Sequence, residues 1–126
     1  MGYYNKNKRE MVEKFRKILE SIKKEKGEIN LFALMKMDEL ADKWTLILSA
    51  SWAKEGDTNT FKYILNSIKS VLSPEEITSI ARVAIYPKTS HLIELLLKYN
   101  NGTTIVNESI NGNQVHEGYI IESNVN

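Results

Sequence analysis

Between residues 8 and 26, the apolar side chains Met11, Val12, Phe15, Ile18, Leu19 and Ile22 recur three and four positions apart. Such spacing lines them along one face of an amphipathic helix. A stripe of that length has to be covered, so the rest of the chain must supply a broad apolar surface. On the solvent side, Glu10, Glu13 and Glu20 precede Lys14, Lys17 and Lys24 by four residues. That is the favourable order, each pair contributing about 0.3 kcal/mol. Gly27 closes the helix, because glycine accepts the left-handed conformation that ends one.

Residues 29–37 satisfy two templates. Leu31, Leu34 and Met35 fit a helix, whereas Ile29, Leu31, Ala33, Met35 and Met37 alternate as a strand does. The strand is preferred: a helix has just ended at Gly27, and the polar residues 38–43 lead into the β-rich run Trp44-Thr45-Leu46-Ile47-Leu48. The two runs then pair antiparallel. A second helix follows Glu55-Gly56, with Phe61, Ile64, Leu65, Ile68, Val71 and Leu72 on its apolar face and Asp57 or Thr58 as its cap. Ser73-Pro74-Glu75-Glu76 reads as a capping box that opens a short helical turn. Residues 80–86 make a further strand halted by Pro87. Thr89 or Ser90 caps a third helix, apolar around most of its circumference, that stops at Asn100-Asn101-Gly102.

The tail is a hairpin, residues 103–110 returning as 114–122, with Asn111-Gly112 as a strong turn signal. Two registers are open. A two-residue turn faces Glu108 with Val115; a four-residue loop aligns Ile110 with Val115, Val106 with Tyr119 and Ile105 with Ile120, which packs better but sets Glu108 opposite Glu117.

The resulting order is α-β-β-α-β-α-β-β, an α+β class domain with one mixed sheet of about five strands and three main helices. The 126 residues suffice for one core without disulfides or metal. One domain over residues 1–126 is expected, with flexible ends at 1–7 and 124–126. The strands at Trp44 and Ile80, joined through a helix, should lie parallel with a right-handed crossover.

Several chemistries find no foothold. The chain has no cysteine, so it holds no disulfide, thiolate metal site or cysteine nucleophile, and a cytoplasmic home in a reducing compartment is expected. Glycines at 2, 27, 56, 102, 112 and 118 are too scattered for a Walker A loop or a dinucleotide fingerprint. His91 and His116 are the two histidines, without a His-Glu-x-x-His pattern, so no metal and no cofactor are expected. Ser49 and Ser51 lack the flanking glycines of a hydrolase elbow. The most apolar window, residues 44–53, has about half the length a membrane helix needs, so no membrane partner is expected.

Three candidate surfaces remain. Parallel strands carry ligands beyond their carboxyl ends, which gathers Ser49, Ser51 and Trp52 with Lys88, Thr89, Ser90 and His91 as a small-ligand or anion crevice. The first 26 residues hold nine Lys/Arg against four Glu. Lys6, Lys8, Arg9, Arg16 and Lys17 could therefore touch nucleic-acid phosphates, with Tyr3 and Tyr4 free to stack on bases. The interleaved glutamates favour an ordinary solvated face. Protein association, including self-association, could use an edge strand of the terminal hairpin or the exposed side of the first helix. His116 beside Glu117 lacks the third partner an acid-base site needs. The most economical reading is a binding or assembly module without catalytic activity. The strand-end crevice, as ligand site or small enzyme, and nucleic-acid binding stand as alternatives.

Overall fold

The computed structural model describes the backbone of residues 2–125 and the side chains of residues 9–125. In order, the elements are α1 (Gly2–Lys26), β1 (Leu31–Met37), a 3-10 turn (Asp38–Leu40), β2 (Trp44–Ser49), α2 (Thr58–Lys69), α3 (Pro74–Ile77), β3 (Ile80–Ile85), α4 (His91–Leu96), β4 (Thr104–Ile110) and β5 (Asn113–Ser123). The strands form a single mixed sheet, β3-β2-β1-β5-β4. The class is α+β and the element order is the one expected, with α3 as the short turn opened by Ser73. Both halves of the capping box are made, Ser73 N–H donating to Glu76 Oε1 at 2.8 Å and Glu76 N–H to Ser73 Oγ at 3.2 Å.

β1 is central, antiparallel to both β2 and β5, and every residue in it except Lys36 is buried. A strand covered on both faces reads as a near-continuous apolar run, which is why residues 29–37 also fit a helix. Phe32, Leu34, Leu46, Leu48 and Ile121 pack with Phe15, Ile18 and Ile22 of α1 and Ile64 and Ile68 of α2. Leu31, Ala33, Met35, Ile47, Ile105 and Ile120 pack on the opposite face with Leu92, Ile93 and Leu96 of α4. Each fully buried side chain of this size contributes about 1.5–3 kcal/mol.

The hairpin takes the two-residue turn: Ile110 faces Asn113 and Glu108 faces Val115. Asn111 (φ 52°) and Gly112 (φ 80°) are both left-handed, as such a turn requires. Packing is recovered by a paired irregularity. Asn107 adopts φ 50°, and opposite it His116 is an extra residue where β5 slips against β1 between Lys36 and Met37. Both strands turn over at this pair. Ile110 and Val115 thereby join Ile105 and Ile120 in one cluster despite odd spacing along each strand.

Three expectations need adjustment. The third helix ends at Leu96 rather than near Asn100, because Tyr99 N–H bonds Leu96 O in a tight turn and Gly102 N–H is already taken by Ile120 O of the sheet. Ser90 occupies the N-cap position of α4 without a side-chain capping bond. Phe61, expected inside, is 41% exposed; it lies in the first turn of α2, beside Val83 and Ile85 of the edge strand β3. At the chain ends, Asn124 is tied to Asn30 by backbone and side-chain bonds of 2.8 and 2.9 Å. Asn126 and the side chains of residues 1–8 lie outside the described residues.

Candidate functional site

β2 and β3 are parallel and end together, Leu48 opposite Ile85, with Tyr86 N–H donating to Leu48 O at 3.0 Å. The segments carrying the crevice residues therefore start side by side, then part. Ser49 is fully buried and its hydroxyl has no partner among the described residues. Trp52 turns to the α1–α2 face, where its indole N–H donates to Glu28 O at 3.0 Å and its ring meets Tyr63 edge-on at 6.3 Å. α4, which follows Thr89 and Ser90, lies on the other face, and its six residues give only a small dipole. Lys88 donates to Val125 O at 2.6 Å, and exposed His91 has Nδ1 3.4 Å from Glu94 Oε1. Ser51 and Thr89 are exposed.

On α1, Arg9, Arg16 and Lys17 are exposed. Arg16 lies 3.4 Å from Glu13, and the shallow surface between Arg16, Lys17 and Lys24 is shared by Glu13 and Glu20. Along this part of the helix the two signs alternate. The side chains of Lys6 and Lys8 lie outside the described residues. His116 Nε2 is 3.0 Å from Asp38 O; a carbonyl only accepts, so this bond needs a proton on Nε2 and ties the β5 irregularity to the 3-10 turn. Asp38 Oδ1 in turn accepts from Gln114 N–H at 2.9 Å. These bonds describe a structural strut. Among the described residues no cluster of His, Asp and Glu could hold a metal ion, and no helix is long and apolar enough to cross a membrane.

The feature that spacing did not announce is the free edge of β3. Alternate residues of a strand direct their backbone groups to the same side, so the Tyr86–Leu48 bond assigns Arg82, Ala84 and Tyr86 to β2. The N–H and C=O groups of Val83 and Ile85 consequently face away from the sheet. Their side chains point to the α2 face, where with Gly56, Asp57, Thr58 and the half-exposed Phe61 they line a groove of about 360 Å³. One wall is apolar and the other is the opening turn of α2. Asp57 fixes that turn: its carboxylate accepts from Asn59 N–H at 3.2 Å and Thr60 Oγ1 at 2.8 Å. The Thr60 hydroxyl, followed by the Asn59 amide, holds its carboxyl below the usual carboxylate range despite an opposing desolvation cost.

Behind Asp57 lies a second hollow of about 240 Å³, lined by Lys26, Trp52, Asn59, Thr60 and Tyr63. Lys26 covers the Tyr63 ring, its ammonium 4.8 Å from the centroid, and the Tyr63 hydroxyl donates to Glu25 Oε1 at 2.5 Å. The Thr60 hydroxyl, the Trp52 indole N–H and the Tyr63 hydroxyl that line it are thus each engaged, with Asp57, Glu28 and Glu25.

The two edges of the sheet differ. β4 is broken by left-handed Asn107 and carries Glu108, devices that discourage another strand from pairing. Between Ala81, the extra residue where β3 slips against β2, and Pro87, β3 has no proline, no positive φ and one charge, Arg82. No family model, no curated protein and no solved structure matches this chain.

Proposed function

We propose that this chain is a small intracellular binding or assembly module, folded as one domain, that recognises its partner by adding a strand to the edge of β3. The observation that carries the reading is the unguarded edge beside an apolar groove. Backbone pairing at Val83 and Ile85 supplies affinity, and the groove between Phe61, Val83 and Ile85 accepts alternate side chains of the incoming strand, which supplies selectivity. No catalytic group is required. The chain's lack of cysteine supports a reducing compartment.

The test is binding of a library of extended peptides with alternating apolar residues, comparing the protein with Val83→Pro. Proline suits this position because the lost N–H faces outward, so the β2 ladder survives. Binding by the protein that is abolished in Val83→Pro supports strand addition. Binding that is indifferent to Val83→Pro, or that maps to Lys88 and His91, transfers the function to the strand-end crevice. Salt-sensitive binding of single-stranded nucleic acid lost in Arg9→Ala/Arg16→Ala transfers it to α1.

A further inference from the structure

We infer that the strand received by β3 is β3 of a second copy, paired antiparallel about a two-fold axis at Ala84. This inference rests on the strand-addition reading and names its partner. An isologous contact requires a segment that is complementary to its own reverse, and β3 meets that requirement in one register.

The outward backbone groups belong to Val83 and Ile85. Setting Val83 against Ile85 of the other copy, and Ile85 against its Val83, makes two hydrogen-bonded pairs, with Ala84 meeting Ala84 between them. Each flanking residue then finds a suitable neighbour. On the α2 face, Val83 and Ile85 of both copies meet side by side, closed off by the two exposed Phe61 rings at the mouths of the grooves. On the α4 face, the small Ala84 pair allows close approach. Exposed Arg82 stands opposite half-buried Tyr86 of the second copy, within reach for a guanidinium on an aromatic ring.

Charge favours the same register. Arg82 is the single charge on β3, and pairing at Ala84 separates the two Arg82 residues by about 14 Å along the ladder. A register centred on Arg82 would appose them. The ladder is also bounded at both ends: Ala81 is a bulge, and Pro87 has no N–H to offer. The regular part of the edge is therefore residues 82–86, and its midpoint is Ala84. The product is a continuous ten-stranded sheet across two copies, with the kinked β4 strands as its outer edges.

The chain lacks cysteine, so engineered thiols report the register without background. Ala84→Cys should oxidise to a covalent dimer, since non-hydrogen-bonded antiparallel partners stand about 4.5 Å apart at Cα, inside the range a disulfide spans. Arg82→Cys should not cross-link. In parallel, sedimentation across micromolar concentrations should give a monomer–dimer equilibrium whose dissociation constant rises at least about tenfold in Val83→Pro, which loses an inter-copy donor on each side. Circular dichroism checks that Val83→Pro is folded; if it is not, the two cysteine variants decide the matter by themselves. A monomer at every concentration without Ala84→Cys cross-linking overturns the second copy as partner, as does equal cross-linking through Arg82→Cys. In that event, peptide binding lost in Val83→Pro leaves strand addition standing with a foreign strand, and absence of such binding removes both.

Discussion

Lys14 of α1 reaches Glu76 of α3 across 2.6 Å, joining two segments 62 residues apart in sequence. Glu76 is also the far half of the capping box, so one carboxylate serves a helix start and a tertiary tie. The Lys14 hydrogen bond, then the Ser73 amide, holds its carboxyl below the usual range against the cost of partial burial. Because the folded value lies below the unfolded one, the stabilisation is present above the ordinary carboxylate pKa and is lost as pH falls through the lowered value. Glu76→Gln should cost about 1–2 kcal/mol at neutral pH. Urea melts from neutral to acidic pH check this: the two stability curves should converge as Glu76 of the parent protein takes up its proton.

Thr45 and Ser49 of β2 each bury a hydroxyl with no hydrogen-bond partner among the described residues. Desolvation without compensation is unfavourable, so Ser49→Ala and Thr45→Val should leave stability unchanged or raise it by up to about 1 kcal/mol. Thermal melts decide. A loss comparable to that of a broken buried hydrogen bond would show that these hydroxyls are engaged in the folded protein.

Asn107 and His116 form the paired irregularity that lets a two-residue turn coexist with a well-packed hairpin. Asn107→Gly should be tolerated within about 0.5 kcal/mol and Asn107→Val should lose at least about 1 kcal/mol, since a β-branched residue resists φ near 50°. Hydrogen exchange of the Ile110 and Val115 amides reports whether the loss falls on the hairpin. Equal behaviour of the two variants would contradict the account.

Tyr63 has its hydroxyl pushed up to about 12, first by burial and then by the hydrogen bond it donates to Glu25. A raised folded value means the contribution is complete below the tyrosine's ordinary value near 10 and disappears as pH rises through the folded one. Between pH ~10 and about 12 the protein should lose stability that Tyr63→Phe does not lose. Alkaline melts of the two proteins, with the tyrosinate absorbance followed alongside, check the sign.

Element type was legible where periodicity was long and local. The α1 stripe, the Ser73 capping box and the Asn111-Gly112 turn each carry their cause within a few residues. The antiparallel β1–β2 pair and the parallel β2–β3 pair follow from chain connectivity. The hairpin register was not legible, because alternation counted along β4 and β5 assumes regular strands, and Asn107 with His116 reverses the faces midway. The groove was equally hidden. Val83, Ile85 and Phe61 read as ordinary core positions; Ile85 is indeed buried, whereas Val83 is half-buried and Phe61 exposed because β3 lies at the sheet edge, which depends on strand order. Ser49 shows the converse, a polar residue placed by connectivity at a strand end yet sealed by packing.

The account stands or falls on the edge of β3, and amide hydrogen exchange followed by NMR at increasing protein concentration tests it most directly. The amides of Val83 and Ile85 should exchange freely in dilute protein and become protected as concentration rises, while Val106 on the β4 edge stays unchanged. Protection that appears on β4 or α1 while Val83 and Ile85 continue to exchange freely would contradict pairing at β3.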